Sequence, residues 1–194
     1  AVSGGTTTYM TDIVIPDTHN GKPVTEILPE AFKQYSNLKS VRLPETINTI
    51  GQDAFYRCTS LSTINLPSSL KIIGKDAFYW CTSLSTINLP SSLETIGYGA
   101  FRGCSKIKTI TIPASVKTIN AGAFARTGLT DVYFEDTTYK WKKTLYRHDP
   151  SKGSYTQYNN DSYFSYTTSA KAAEELTYYQ EPVGVNYEYY CYSF

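Results

Sequence analysis

The chain has 194 residues, 41% hydrophobic and 18% charged, with a formal net charge of +1. This fits an ordered globular domain, or a domain plus a capping module, and not a disordered chain. Nothing in the charge balance suggests a polyanionic partner such as nucleic acid, and no apolar run approaches the roughly 20 residues that span a bilayer.

The opening AVSGGTTTYM has neither an initiator Met nor a charged leader, and reads as a mature or trimmed chain. Ile13-Val14-Ile15-Pro16 follows as a short strand closed by its proline. The insertion HNGKP then carries the turn signal Asn20-Gly21 and lengthens this first unit to 28 residues. From Val24 a regular beat sets in. Ala-Phe recurs at Ala31-Phe32, Ala54-Phe55, Ala77-Phe78, Ala100-Phe101 and Ala123-Phe124, always 23 residues apart. A fixed period of this size means a solenoid of stacked units that touch only their neighbours.

One unit, Leu61 to Leu84, reads LSTINLPSSLKIIGKDAFYWCTSL. Ile64 and Leu66 alternate with Thr63 and Asn65, which predicts a short strand with one buried face. Pro67 ends that strand, Leu70 and Ile73 form the next apolar pair, and Gly74 marks a place where a side chain is costly. Ala77, Phe78 and Cys81 then fall on one side of a predicted helical or 3-10 turn. The five phenylalanines are expected to stack as an aromatic spine. Cys58, Cys81 and Cys104 share one slot, which Tyr35 and Thr127 fill in the flanking units. Such a packing slot predicts free buried thiols, and single thiols at this period lack the paired spacing of a zinc site. Cys191 has no evident partner.

The last unit arrives one residue early: Leu129 and Val132-Tyr133-Phe134 follow a deletion that Gly128 absorbs. Six strand rungs are therefore expected. Beyond them the composition changes, and 12 of the 18 tyrosines lie after Glu135. Ser169–Leu176, SAKAAEEL, is a candidate helix with Ser169 as N-cap, and VNYEYYCYSF reads as a strand. A β-rich cap over the last coil would protect an otherwise open edge.

The consensus LxxIxLPxxLxxIGxxAFxxCxx, carried closely from Val24 to Phe134, resembles the BspA-like family of bacterial surface leucine-rich repeat proteins. It differs from the general leucine-rich repeat in lacking the Asn of the usual Asn/Cys ladder. The resemblance implies an α/β fold: a right-handed solenoid of short parallel strands and short helical or 3-10 turns over residues 1–134. A Tyr-rich, β-rich capping module would follow over 135–194. It also implies a secreted or cell-surface module for adhesion or protein binding, with a host extracellular protein as the natural partner class.

Chemistry is sparse. His19 lies in the first insertion and His148 beside Asp149-Pro150, neither near a nucleophile, and both read as exposed loop residues. No phosphate loop, dinucleotide fingerprint or metal-ligand spacing occurs, so no enzyme activity, cofactor or metal is expected. Asp53 and Asp76 recur at one slot and suit the N-terminus of the expected helical turn. Asn160-Asp161-Ser162 matches the glycosylation pattern by chance.

Surface columns carry more. Ser40, Thr63, Thr86 and Thr109 point outward in one column of the strand face, with Arg42, Asn65, Asn88 and Thr111 in the next. Tyr56, Tyr79, Trp80 and Arg102 are expected to be exposed on the turn side, and these residue types are enriched where interfaces hold their energy. The strand face measures roughly 450 Å², from a ~4.8 Å strand spacing and ~3.3 Å rise. A standard interface needs about 800 Å² per partner. Edge loops, the cap, or many copies on one surface would have to add to it. A competing expectation places Tyr139 and Trp141 in a glycan-stacking site, and a third makes the chain a spacer without ligand.

Overall fold

A computed structural model of the chain describes residues 10–120, 122–129 and 131–135, and the backbone of three later strands. The first unit opens with β1 (Asp12–Val14), followed by a hairpin of β2 (Thr18–His19) and β3 (Lys22–Pro23). Asn20 and Gly21, at φ 52° and 72°, turn that hairpin as the Asn-Gly pair predicts. Then come β4 (Glu26–Ile27), β5 (Ser40–Arg42), β6 (Thr49–Ile50), β7 (Thr63–Asn65), β8 (Ile72–Ile73) and β9 (Thr95–Ile96). The repeats close with β10 (Thr109–Ile112), β11 (Thr118–Ile119) and β12 (Asp131–Phe134).

Two parallel ladders run up the stack. One contains β1-β5-β7 and, higher, β10-β12; the other runs without a break through β4-β6-β8-β9-β11. The register keeps each apolar column in line, as in Val41 on Ile64 and Ile50 on Ile73. Five of the six expected rungs form paired strands. The sixth, Thr86–Asn88, forms none although LSTINLPSSL is identical in the unit below. Ile87 stays buried there, so the apolar packing continues where the ladder opens.

The expected solenoid of short parallel strands is present, but its helical or 3-10 turns are not: among the described residues the coils consist of strands and turns. The hydrogen bonds show why. The N–H groups of Asp53, Phe55 and Arg57 donate to Lys75, Ala77 and Tyr79 of the next coil at 2.9, 2.8 and 2.7 Å. Those of Ala54, Tyr56 and Cys58 close local turns onto Gly51, Asp53 and Phe55. Half of the donors that a helix would spend on itself therefore join coil to coil, forming a third ladder without strands. The alternation requires left-handed backbone at two slots per coil: Asp53 and Arg57, then Asp76 and Trp80. Asp53 and Asp76 are thus turn residues, not helix N-terminal residues.

The interior is the expected spine. Phe32, Phe55, Phe78, Phe101 and Phe124 stack with ring centroids 5.2, 5.3, 5.3 and 5.5 Å apart and planes within 11°. Cys58, Cys81 and Cys104 are free and buried. Each thiol donates to the carbonyl of Phe32, Phe55 or Phe78 in the coil below, at 3.0, 3.2 and 3.1 Å. Burial pushes the Cys58 and Cys104 thiols up to about 12, and burial with the two neighbouring thiols raises Cys81 as well. A Cβ on Gly97 would stand 2.5 Å from the Gly74 carbonyl carbon, so this glycine permits close approach of two backbones.

After the repeats, β15 (Tyr187–Ser193) pairs antiparallel with β11, and β13 (Trp141–Asp149) with β15. β14 (Ser154–Tyr163) completes the edge of that eight-stranded sheet. The strand expected in VNYEYYCYSF is present, and His148 lies in β13 instead of a loop. The candidate helix 169–176 lies outside the described residues.

Candidate binding faces

The strand face follows from the alternation in each coil. Ile64 turns inward while Thr63 and Asn65 turn to solvent. Register carries the pattern along the stack: Val14 pairs with Arg42, Arg42 with Asn65, and Thr111 with Tyr133. Thr63, Thr86 and Thr109 are exposed in one column, with Ser40 half-buried below them. Arg42, Asn65, Asn88 and Thr111 are exposed in the other. Sequence reasoning missed both ends of the second column. Val14 is 70% exposed at one end and Tyr133 40% at the other, so two apolar groups flank a polar middle. Counting across the 28-residue first unit and the shortened last unit would have found them. At the lower end Asp12 accepts hydrogen bonds from Ser40 and Thr11, and these hold its carboxyl below the ordinary value.

The turn side lies around the coil from this face. Tyr56 stacks on Tyr79 at 4.8 Å with planes 3° apart. The Arg57 guanidinium lies 5.6 Å from the Tyr56 ring centre, and Arg102 lies 6.0 Å from that of Tyr79. Tyr79 is tilted 44° against Trp80 with centroids 6.4 Å apart. The expectation that this whole group is exposed needs correction. Tyr56, Tyr79 and Arg102 are half-buried because each packs against its neighbour in the next coil, and of the four only Trp80, at 38%, is exposed. Lys33 is tied down by Glu30 at 2.7 Å and Asp53 at 3.2 Å, which raise its pKa.

On the same turn side, Asp76 Oδ1 and Arg102 Nε are buried without a hydrogen-bond partner. Burial, and after it the Asp53 charge, raises the Asp76 carboxyl against the pull of Lys75 and Arg102. Of the competing glycan site, Tyr139 lies outside the described residues and Trp141 is described only as backbone of β13. Among the described residues no group of His, Cys, Asp and Glu could hold a metal. Within them, too, no helix is long and apolar enough to cross a membrane.

Comparison with known proteins agrees with this geometry. No curated protein sequence matches the chain. Among solved structures, it is similar to a leucine-rich repeat protein of T. pallidum, at 40% identity and TM-score 0.58 over 59% of this chain and 53% of that one. A leucine-rich repeat protein from Bacteroides ovatus matches at 34% identity and TM-score 0.56, covering 63% and 32% of the two chains. The pneumococcal vaccine antigen PcpA matches at 25% identity and TM-score 0.56, covering 72% and 44%. The chain therefore spans about half or less of the length of these proteins. A model of the BspA type leucine rich repeat region matches six copies over residues 25–151, more than half of the sequence. On its repeat, its coil and that match, the chain belongs to the BspA-type leucine-rich repeat family.

Proposed function

We propose that the chain is a non-enzymatic module, secreted or displayed on a bacterial surface, that binds a protein partner through its strand face. The observation that carries this reading is the column Val14, Arg42, Asn65, Asn88, Thr111 and Tyr133. Its polar centre, with an apolar group at each end, offers hydrogen bonds to a partner backbone and two anchors for its side chains. The similarity to PcpA, described as a vaccine antigen, supports a surface setting. The face is small, so a module of this kind holds its partner weakly per copy and gains strength from display in many copies.

The test is binding of purified extracellular-matrix proteins to the immobilised chain, beside a variant carrying Asn65→Arg and Asn88→Arg. Both side chains are exposed, so the variant should fold with an unchanged melting curve. Loss of at least tenfold in affinity supports the strand face. Full retention places the site elsewhere, and absence of any binding by the parent chain leaves the spacer reading in force.

A further inference from the structure

Trp80 is placed unlike any other aromatic residue of the stack. A Cβ built on Gly103 would lie 2.8 Å from Trp80 Cδ1 and 3.0 Å from both Cγ and Nε1. Near-equal distances to three adjacent ring atoms mean that Gly103 sits under the face of the indole, not at its edge. One face thus rests on the backbone of the next coil, and the 38% exposure belongs to the other. Arg57 occupies the same slot one coil below, and its N–H donates at 2.7 Å to the carbonyl of Tyr79, the residue preceding Trp80. Among the described residues Arg57 is exposed and no carboxylate forms a salt bridge with it. Tyr56 and Tyr79 join the guanidinium to the indole as one continuous strip.

The backbone at this slot accepts glycine. Left-handed backbone recurs here in every coil, with Gln34, Arg57, Trp80 and Arg126 at φ 64°, 56°, 57° and 56°, a conformation that glycine adopts without strain. The coil above Trp80 does place glycine in this slot, Gly103 at φ 79°.

We propose that Arg57, Tyr79 and Trp80 form a subsite for a carboxylated pyranose of an acidic polysaccharide. The sugar's C–H face would lie on the open face of the indole, and its carboxylate would take charge-assisted hydrogen bonds from the guanidinium. The strip spans two coils, a footprint suited to one or two sugar rings and well below what a folded protein requires. An extended acidic peptide fits less well. The turn N–H groups of Gln34, Arg57, Trp80 and Gly103 already donate to the coil above, so none of these donors is left for the carbonyls of a peptide backbone. With a net charge of only +1, the chain exerts little long-range attraction, so the subsite is weak, and salt screens its exposed guanidinium–carboxylate contact.

The test titrates the full chain with oligogalacturonate, with neutral maltohexaose of similar length, and with a poly-glutamate peptide. Trp80→Gly and Arg57→Gly serve as variants because the backbone at both slots favours glycine, so folding is retained and melting temperature should hold or rise. The expected result is saturable oligogalacturonate binding, weakened at least tenfold by either variant and by moderate salt, with maltohexaose much weaker. The Asn65→Arg, Asn88→Arg variant should bind the sugar normally, which separates this subsite from the strand face. No oligogalacturonate binding by the parent chain, binding by the variants as tight as the parent's, or preference for poly-glutamate overturns the proposal.

Discussion

Two aromatic columns stand one residue apart in the sequence and differ in nearly everything else. The inner column is phenylalanine in all five coils; the residue after each phenylalanine is Lys33, Tyr56, Tyr79, Arg102 and Ala125. Both columns stack, with Phe55 and Phe78 at 5.3 Å and Tyr56 and Tyr79 at 4.8 Å. Ring geometry therefore does not distinguish them. Burial does: Phe78 is fully buried, whereas Tyr79 is half-buried. A close-packed interior accepts one shape at each level, so the inner column is locked to the period. The outer column is free to carry a cation at one coil, a ring at the next and a methyl at the last.

The largest expected effect tests this difference. Phe78→Ala opens a cavity between two rings and should cost about 3–5 kcal/mol of unfolding free energy. Tyr79→Ala removes a half-exposed stack and should cost about 1 kcal/mol. Urea denaturation of the two variants measures both. Equal losses would mean that the outer stack is as structural as the inner one, and the case for a binding strip on the turn side would weaken with it.

The interior was readable because packing repeats with the sequence: the Phe spine, the thiol slot and the inward columns of both ladders all follow from a 23-residue beat. The turn side was not, for a hydrogen-bond reason. Ala77, Phe78 and Cys81 have helix-like spacing, yet the Phe78 N–H goes to Ala100 of the next coil at 2.8 Å. Apolar spacing reports which side chains are buried and says nothing of where a backbone donor points. Left-handed backbone at Arg57 and Trp80 was equally hidden, since neither residue type signals it and only Gly103 in that slot hints at it. The polar columns of the strand face could be read from period-two alternation. Their apolar ends were masked by the insertion before Val24 and the deletion at Gly128.

The thiol ladder sharpens the comparison from the buried side. At pH 8 Cys58 and Cys104, pushed up to about 12, remain protonated and shielded. Alkylation of the native chain should therefore spare Cys58, Cys81 and Cys104, and mild urea should release all three together if the stack opens as a unit. Mass spectrometry of iodoacetamide-treated peptides reads this directly. Cys81→Ala removes the bond to the Phe55 carbonyl and leaves a small void, at a cost of about 1–3 kcal/mol. Rapid native labelling of Cys81 would show that the interior is far looser than the inner column requires.

The smallest effect is expected at Asp76, where the outer side carries a defect instead of a bond. Its Oδ1 has no hydrogen-bond partner, and burial together with Asp53 raises its pKa. A carboxyl with a raised folded pKa binds its proton more tightly when folded, so the ionised form costs the native state stability. That cost is present above the folded pKa and vanishes as the pH falls through it. Asp76→Asn removes the charge, and Asn tolerates the φ of 50° at this position. The variant should be more stable at pH 7 by about 0.5 kcal/mol, a figure kept low because solvent screens a half-exposed group. The advantage should shrink as the parent's carboxyl protonates, bringing the two melting curves together in acid. A variant that is less stable at pH 7 would mean that Asp76 holds Arg102 in place through its charge, making the pair part of the strip and not a defect on the same side.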